Sequence, residues 1–245
     1  MKCICCSKNY ILVRGYKDIY KCSSCDHLFR DYKEDATSFH RDEYRKVEIK
    51  ERGEISSDGT VNDKFHKIRE KMTSNRIKML SGFIEQDQKC YDVGAGAGTF
   101  ARKLRPLVKS IRCSELDPAL IAECKRNGLE VDSIGLLEMN TQEKYDFVFM
   151  WHVLEHIPDA LAARDKLWDL TNKLVCVEVP TLVPLDGQGR HRRVKPVNYK
   201  NSFDGHFHYY TEKSFRRLYE ERFKILRITV GAQNPAMMAI IEKRQ

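Results

Sequence analysis

The chain has 245 residues, a formal net charge of +8 and a hydrophobic content of 42%. This length suits one α/β domain with a small appendage, and the composition excludes a wholly disordered chain because it suffices for a packed core. No apolar run reaches the roughly 18–20 residues that a membrane-spanning helix needs. The first residues, 1–6, lack the apolar core of an export signal, so we expect a soluble, cytoplasmic protein without membrane partners.

The nine cysteines are unevenly distributed, with five of them in the first 25 residues. Cys3 with Cys6, and Cys22 with Cys25, form two Cys-x-x-Cys pairs that are separated by 15 residues. Close pairs in a chain without an export signal favour a metal site over disulfides. We therefore predict that residues 1–30 form a knot in which these four cysteines bind a structural Zn²⁺, with strands near 10–13 and 18–21.

Two alternatives remain open for this knot. Cys5 could replace Cys3 or Cys6 as a ligand, and His27 is a more remote substitute. Four thiolates also suit an iron–sulfur centre, which we favour less than zinc. The residue after the second cysteine of each pair is not the glycine that is common there, which predicts less regular turns.

Residues 31–60 are charged and lack a regular period, so we predict a linker or lid. The main domain, residues 61–245, is predicted to begin with a helix or helix pair, because apolar residues recur at helical spacing over 62–84. From residue 90 onward the pattern alternates between strands at 90–93, 111–115, 129–131, 145–150 and 174–179 and helices at 99–108, 118–127 and 159–170. We predict that Asp117 caps the second of these helices and that Gly128 ends it. Such alternation requires a parallel sheet with helices on both faces.

The last elements depart from this alternation. After a helix over 211–222, the strands 223–230 and 236–242 are joined by a turn that is too short for a crossover, so they must pair antiparallel. We therefore predict an α/β fold with a seven-stranded, mainly parallel sheet, a C-terminal antiparallel hairpin and a small N-terminal zinc knot.

A glycine-rich turn, Asp-Val-Gly-Ala-Gly-Ala-Gly over 92–98, follows the first strand of this sheet. Glycines let the backbone turn tightly and approach a ligand above the strand end. This signal also suits a dinucleotide enzyme, in which the helix N-terminus holds a pyrophosphate, but Asp92 has no purpose beside that anion. Glu115 lies 23 residues beyond Asp92 at the end of the second strand, where a carboxylate reaches ribose hydroxyls.

A third motif, Met-Trp-His-Val-Leu-Glu-His-Ile-Pro-Asp over 150–159, follows the fourth strand. It resembles the "vlEHi-p-d" signature of the S-adenosylmethionine-dependent methyltransferase superfamily. The three motifs occur in the order and spacing of that family across residues 89–160. The chain is therefore identified as a member of the class I methyltransferases, a resemblance that implies a Rossmann-like fold and S-adenosylmethionine as cofactor.

The resemblance also implies where the cofactor binds. The implied residues follow the ends of consecutive strands, and they are Asp92, Gly94, Ala95, Gly96, Glu115, Leu116, Ile134, Met150 and Trp151. The glycines would line the amino-acid end of the cofactor, where Asp92 would receive the ammonium. Glu115 would bind the ribose, and Leu116 would lie against the adenine. Met150 and Trp151 would close the pocket near the sulfonium, the alternative for both being core packing.

The segment after the fifth strand carries the histidines that we predict to act on the acceptor. Residues 205–211, Gly-His-Phe-His-Tyr-Tyr-Thr, resemble a stretch of the sugar C-methyltransferases, which also carry a zinc knot. Gly205 replaces the glutamate of that stretch and puts carbon methylation in doubt, because proton abstraction from carbon needs a supported base. We predict His206 as the general base or acceptor contact, with His152 and His208 ranking below it.

Two classes of acceptor fit the sequence. The zinc knot is also similar to that of the rRNA guanine methyltransferases, and the basic run 190–195 suits the phosphates of a small substrate, an RNA backbone or a solvated loop. The run has no interleaved aromatic residues to stack bases, which favours the small anion. We predict methyl transfer to a sugar-like, nucleotide-linked or phosphorylated metabolite. The alternatives are an RNA methyltransferase and a catalytically silent cofactor-binding module.

Overall fold

A computed structural model of the chain describes residues 2–13, 18–31, 62–181, 206–231 and 236–245. The predicted linker or lid beyond Asp31, the basic run 190–195 and Gly205 lie outside the described residues. The described residues fall into two compact units. We call them the knot unit (within 1–34, 151–168 and 174–245) and the loop unit (within 35–150 and 169–173).

The described residues form eleven strands and five α-helices. In chain order they are β1 (Tyr10–Leu12), β2 (Ile19–Cys22), β3 (Leu28–Arg30), α1 (Asp63–Leu80), β4 (Lys89–Val93), α2 (Thr99–Leu104), β5 (Ser110–Ser114), α3 (Pro118–Arg126), β6 (Glu130–Asp132), β7 (Tyr145–Trp151), α4 (Ala160–Leu170), β8 (Thr171–Pro180), β9 (His208–Tyr209), α5 (Glu212–Tyr219), β10 (Phe223–Val230) and β11 (Ala236–Lys243). None of the described helices has the length and apolar character needed to cross a membrane.

Local sequence sets the ends of the helices. The side chain of Asp117 accepts hydrogen bonds from two backbone N–H groups of the first turn of α3, and Pro118 occupies its first position. Gly128, with a φ of +69°, follows that helix as predicted. Helix α2 ends at Leu104, earlier than predicted, because Pro106 has no N–H to continue the helix and induces a 3-10 turn over 105–107 instead.

The large sheet has the strand order β10-β11-β8-β7-β4-β5-β6. Strand β4 pairs in parallel with both β5 and β7, and β5 pairs in parallel with β6. Strand β11 pairs antiparallel with β8 and with β10. Strand β7 is buried at all but one of its seven residues, as expected for a parallel strand covered on both faces. This topology confirms the predicted Rossmann-like fold with its C-terminal antiparallel hairpin.

A second sheet of four strands, in the order β1-β2-β3-β9, includes the three strands of the N-terminal knot. The hairpin of β1 and β2 forms where it was expected, with Tyr10 opposite Cys22. Strands β3 and β9 were not predicted from the sequence, because segments of three and two residues are too short to show a period. Strand β9 pairs antiparallel with β3, and the N–H of Arg30 donates to the carbonyl oxygen of Phe207 at 2.9 Å. The knot sheet is thus completed by a strand from the far end of the chain.

Candidate functional site

The glycine-rich turn of the loop unit follows β4 and depends on left-handed backbone conformations. Gly94, Gly96 and Gly98 have φ angles of +64°, +59° and +74°. An L-residue with a side chain rarely adopts such angles, so the repeated glycines are needed to form the turn. The N–H of Ala95 donates to the carbonyl oxygen of Ser114 at 2.9 Å, which fixes the turn against the end of β5.

Two of these glycines differ in what surrounds them. A Cβ atom at Gly98 would lie 2.4 Å from Cδ1 of Leu129 and 3.0 Å from Sγ of Cys124, so packing excludes a side chain there. A Cβ atom at Gly96 would meet no atom within 4 Å among the described residues. Gly96 therefore faces open space, where a ligand can approach the backbone closely.

The carboxylate of Glu115 is held beside this turn by three backbone N–H groups. Its Oε2 accepts from Gly96 at 2.7 Å, and its Oε1 accepts from Leu116 at 2.7 Å and from Asp117 at 3.0 Å. Burial raises the pKa of Glu115, although the three N–H groups act in the opposite direction. The carboxylate is thus oriented before any ligand binds, at the strand end from which the sequence motif predicts ribose binding.

Asp92 lies next to the turn and is fully buried. Neither of its carboxylate oxygens has a hydrogen-bond partner among the described residues. Burial raises the pKa of Asp92 to about 8, with Arg76 opposing and Glu115 reinforcing the shift. A buried carboxylate without hydrogen bonds is costly, and a positively charged ligand group would offset that cost. The position therefore suits the ammonium of S-adenosylmethionine.

The remaining predicted cofactor residues are distributed over neighbouring strand ends. Leu116 is 41% exposed, and Ile134 is half-buried. Met150 is fully buried and pairs in register with Val93, one residue before Gly94. Trp151 is the last residue of β7 and belongs to the knot unit. In the loop unit the structure thus brings together the residues around the turn, with Met150 on the adjacent strand.

The thiols of Cys3, Cys6, Cys22 and Cys25 form a cluster in the knot unit. Sγ of Cys3 lies 3.6 Å from that of Cys25, and Sγ of Cys6 lies 3.4 Å from that of Cys22 and 3.6 Å from that of Cys25. Tetrahedral Zn²⁺ with Zn–S bonds of about 2.3 Å would set its thiolates about 3.8 Å apart. These three distances match this spacing to within a few tenths of an ångström, and all four sulfurs lie within 4.8 Å of one another, so the donor set fits a zinc ion.

The two cysteine knuckles have equivalent backbone geometry. Ser7 and Asp26, which follow the second cysteine of each pair, have φ angles of +56° and +58°. The N–H of Ser7 donates to the carbonyl of Cys3 at 2.7 Å, and that of Asp26 donates to the carbonyl of Cys22 at 3.1 Å. Both residues adopt the conformation that glycine favours, and this equivalence corrects the expectation of less regular turns.

Cys5 contacts two residues of this cluster, Cys3 and Cys25. It is buried, and hydrogen bonds with Cys25 and Cys3, together with burial, raise the pKa of its thiol. Nδ1 of His27 lies 3.9 Å from Sγ of Cys3 and 2.8 Å from the hydroxyl oxygen of Tyr10. The geometry therefore favours the four clustered cysteines as the ligand set, with Cys5 and His27 in contact with it.

The knot contacts the segment that contains the predicted catalytic histidines. The ring of His27 stacks on those of His208 and Tyr210, with centroid distances of 5.2 Å in both cases. The hydroxyl of Thr211 donates to the carbonyl oxygen of Cys25 at 2.7 Å. The second knuckle therefore supports residues 206–211 directly.

The opposite side of this segment is bonded to the third sequence motif. The N–H of Phe207 donates to the carbonyl oxygen of Glu155 at 2.8 Å, and Nε2 of His208 lies 2.9 Å from the carbonyl oxygen of Pro158. These bonds place His206 beside His156, with ring centroids 4.7 Å apart. The carboxylate of Glu155 is fully buried in the same cluster.

His152 is held between two carboxylates. Its Nδ1 lies 3.3 Å from Oε1 of Glu155, and its Nε2 lies 3.0 Å from Oε1 of Glu178. Its φ of +57° is unusual for a residue with a side chain, and its N–H donates to the carbonyl oxygen of Glu178 at 2.8 Å. Burial alone would lower the pKa of His152, but the two glutamates raise it to about 9.

The environment of His208 lowers the pKa of its ring, in contrast to that of His152. His208 is 1% exposed, and burial lowers its pKa to about 3, with His27 adding to the shift. Glu178 was not predicted as a partner of His152, although a single acidic residue in the apolar strand Leu-Val-Cys-Val-Glu-Val indicates a buried charge that needs a partner.

Comparison with known proteins identifies the class to which this fold and these motifs belong. A protein family described as a methyltransferase domain matches residues 65–222. No curated protein matches the chain.

Solved structures with similar folds include three methyltransferases. Magnesium protoporphyrin IX methyltransferase from Synechocystis PCC 6803, with bound S-adenosylhomocysteine, is 18% identical with a TM-score of 0.63, and the match covers 86% of this chain and 100% of that one. The N-methyltransferase NodS from Bradyrhizobium japonicum, also with S-adenosylhomocysteine, is 17% identical with a TM-score of 0.56, covering 82% and 98%. An S-adenosylmethionine-dependent methyltransferase from Clostridium acetobutylicum is 11% identical with a TM-score of 0.53, covering 86% and 100%.

The family match spans well over half of the chain and includes all three sequence motifs. The sheet topology, the left-handed glycine turn and the oriented Glu115 agree with it. The chain therefore belongs to the methyltransferase domain family, within the class I S-adenosylmethionine-dependent methyltransferases.

Proposed function

We propose that the chain transfers the methyl group of S-adenosylmethionine to a small metabolite with a sugar-like, nucleotide-linked or phosphorylated structure. The observation that carries this proposal is the cluster of Glu155, His156 and His206, which two backbone segments build around a buried carboxylate. Such a cluster suits a compact polar acceptor better than an extended polymer, because it offers a few converging polar groups.

The residues around the glycine turn would hold the cofactor. Asp92 would pair with the ammonium, which offsets the cost of its buried charge, and Glu115 would accept hydrogen bonds from the ribose hydroxyls. The backbone at Gly96 would lie against the amino-acid end, since nothing described fills that space. The other assigned contacts are Gly94, Ala95, Leu116, Ile134, Met150 and Trp151. When bound, the cofactor supplies an electrophilic methyl group on a sulfonium.

Among the three candidate histidines we assign His206 to the acceptor. His208 is enclosed and bonded to the carbonyl of Pro158, so a substrate does not reach its ring. His152 carries a proton near neutral pH because of its two glutamates, so it is a poor proton acceptor. His206 is half-buried next to His156. Most of the rate would then come from orienting the acceptor for in-line attack on the methyl group.

We further propose that the knot binds one structural Zn²⁺ through Cys3, Cys6, Cys22 and Cys25. Four thiolates leave no open coordination position, so the ion would have no part in the reaction. Its effect would be to stabilise residues 206–211, which stack on and hydrogen-bond to the second knuckle. The combination of this knot with residues 206–211 supports membership of the sugar methyltransferase-like group. An RNA-binding role for the knot gains no support from this packing, because the contacted face is buried against the chain itself.

The acceptor class is tested by incubating the protein with methyl-labelled cofactor and, in parallel, a metabolite extract and total RNA. We expect label in the small-molecule fraction with the wild type and none with the Glu115→Ala variant. Label in RNA alone would contradict the proposal. Cofactor binding by calorimetry without transfer to either fraction would instead identify a catalytically silent module.

A further inference from the structure

Three potential ligand atoms, one each from Glu155, His156 and His206, all lie within 4.8 Å of one another in the knot unit. They come from two distant segments, which the hydrogen bond from Phe207 N–H to the Glu155 carbonyl joins at 2.8 Å. The hydrogen bond between His208 and Pro158 is a second connection between the same segments. Two hydrogen bonds to backbone carbonyl groups therefore build the juxtaposition, and none of its three ligand atoms comes from the cysteine cluster.

The carboxylate of Glu155 is unusual for a fully buried group. Neither oxygen accepts a hydrogen bond of good geometry from the described residues, and its ion pair with Nδ1 of His152 involves Oε1. His152 also contacts Glu178 through its other nitrogen at 3.0 Å. His152 therefore keeps Glu178 as a carboxylate partner if another cation binds Glu155. Such a cation would offset the cost of the buried charge of Glu155.

The donor set is that of a transition-metal site. Two imidazoles and one carboxylate bind Zn²⁺, Fe²⁺, Co²⁺ or Ni²⁺, and they leave coordination positions open for a substrate. Bonds of about 2.0–2.2 Å to one ion place neighbouring ligand atoms about 3–4 Å apart. The three atoms lie within 4.8 Å of one another, so an approach of about an ångström would let them share one ion.

We propose that Glu155, His156 and His206 bind a divalent transition-metal ion and that the acceptor coordinates this ion through two adjacent oxygens. The second part rests on the proposed function and names its substrate class: a vicinal diol, a hydroxy acid or a hydroxy ketone. The side chain of His206 then meets the acceptor through the ion rather than as a base.

Coordination to the ion would allow the acceptor hydroxyl to lose its proton near neutral pH. A divalent ion lowers the pKa of a coordinated hydroxyl, whose proton passes to water. The resulting oxygen attacks the methyl carbon, the O–C bond forms, and the C–S bond breaks with its electron pair moving to sulfur. The products are the methyl ether and S-adenosylhomocysteine, so charge and atoms balance without a protein base.

Cobalt distinguishes this site from the cysteine knot, because thiolate-bound Co²⁺ shows intense charge-transfer bands and a histidine–carboxylate site does not. We expect two Co²⁺ per wild-type chain, and one per chain in His156→Ala and His206→Ala, which keep the thiolate bands. Glu155→Gln should weaken the second site by more than about 100-fold, since it removes a ligand rather than an outer partner. His66→Ala, at an exposed histidine of α1, is the matched control and should keep both ions.

Acetohydroxamate, which chelates through two adjacent oxygens, tests the open positions. It should change the weak visible bands of the second ion and leave the thiolate bands unaltered. The metal site is overturned if the wild type and both histidine variants bind the same number of ions with the same affinity. Loss of ion binding in a variant whose melting temperature and cofactor affinity are unchanged excludes misfolding. A chain that binds two ions but methylates no small molecule would fail the proposed function while keeping the metal site.

Discussion

The hydroxyl of Thr211 donates to the carbonyl oxygen of Cys25 at 2.7 Å, across 186 residues of sequence. The hydroxyl oxygen of Thr211 also accepts from the N–H of Ser214 at 3.1 Å, and the hydroxyl oxygen of Ser214 accepts from the N–H of Thr211. One side chain thus caps helix α5 and bonds it to the second cysteine knuckle. The knot and the segment with the candidate acceptor residues are therefore mechanically connected within the knot unit.

Thr211→Val should lower the free energy of unfolding by about 2 kcal/mol, of which about 1 kcal/mol comes from the lost helix cap and about 1 kcal/mol from the lost buried hydrogen bond. Valine keeps the shape of threonine, so packing changes little. Thr211→Ser is the matched control and should retain most of the stability. Denaturant unfolding of the zinc-loaded protein measures both, and equal stability of the valine variant would show that the two bonds are weak.

Removing the knot metal should loosen residues 206–211 selectively. A chelator that extracts an ion from the four cysteines frees the second knuckle, on which His208 and Tyr210 stack. Hydrogen exchange followed by mass spectrometry should then show faster exchange at β3, β9 and the start of α5, with β4 and β5 unchanged. Uniform exchange throughout the chain would instead indicate global unfolding, and unchanged exchange at β9 would contradict the connection.

Asp92→Asn should weaken S-adenosylmethionine binding by about 10–100-fold, because a hydrogen bond to a charged group contributes about 1.5–3 kcal/mol. In the ligand-free wild type the pKa of Asp92 is raised to about 8, so binding of an ammonium at neutral pH should expel the proton. Wild-type affinity should therefore rise as the pH is raised from 6 to 8. Calorimetry in buffers of different ionisation enthalpy measures the number of protons released on binding. The protons that the Asp92→Asn variant releases come from the amino group of the cofactor, and they are subtracted from the wild-type value.

The same pKa shift makes a prediction about stability. Because the folded pKa of Asp92 lies above its usual value, the native state binds this proton more tightly than the unfolded state does. The contribution of Asp92 to ligand-free stability is then greatest below about pH 4 and is lost as the pH rises towards 8. Asp92→Asn should raise the melting temperature at pH 8 while it weakens cofactor binding. A lower melting temperature at that pH would show that Asp92 is not destabilised by burial.

Gly98→Ala and Gly96→Ala form a matched pair that separates packing from ligand binding. At Gly98 the new methyl would clash with Leu129 and Cys124 at a positive φ, so we expect a loss of about 2–4 kcal/mol of stability. At Gly96 no described atom is within 4 Å, so the cost should be only the backbone strain of about 1–2 kcal/mol. Cofactor affinity should nevertheless fall in the Gly96 variant, as calorimetry on folded protein would show. Unchanged affinity there would place the cofactor elsewhere.

Glu115→Gln should reduce cofactor affinity by about 10–100-fold, since two charge-assisted hydrogen bonds to the ribose become neutral ones. Glutamine keeps an acceptor for some of the N–H groups of Gly96, Leu116 and Asp117, so the turn should stay folded. Calorimetry with S-adenosylhomocysteine measures the affinity, with circular dichroism as the check on folding. An affinity equal to the wild type would exclude Glu115 from the ribose site.

Much of the large sheet was predictable because its strands and helices are long enough to show their period. The capping by Asp117 and the stop at Gly128 follow from local backbone chemistry, so the sequence placed them correctly. The glycine turn and Glu115 were equally accessible, since each is fixed by neighbours that are close in the chain or on the adjacent strand. The predicted helix 99–108 was too long, because Pro106 lacks the N–H that would continue helix α2.

Sequence by itself therefore determined the fold class, the cofactor motifs and the pairing of the cysteines into two knuckles. Only the tertiary structure decided that β9 completes the knot sheet, that Cys5 contacts Cys3 and Cys25, and that His206 lies beside Glu155 and His156. It also gave the candidate histidines opposite environments, with the pKa of His152 raised and that of His208 lowered. These features depend on the burial of individual side chains and on contacts between distant segments. Neither produces a periodic pattern in the amino-acid sequence from which it could be predicted.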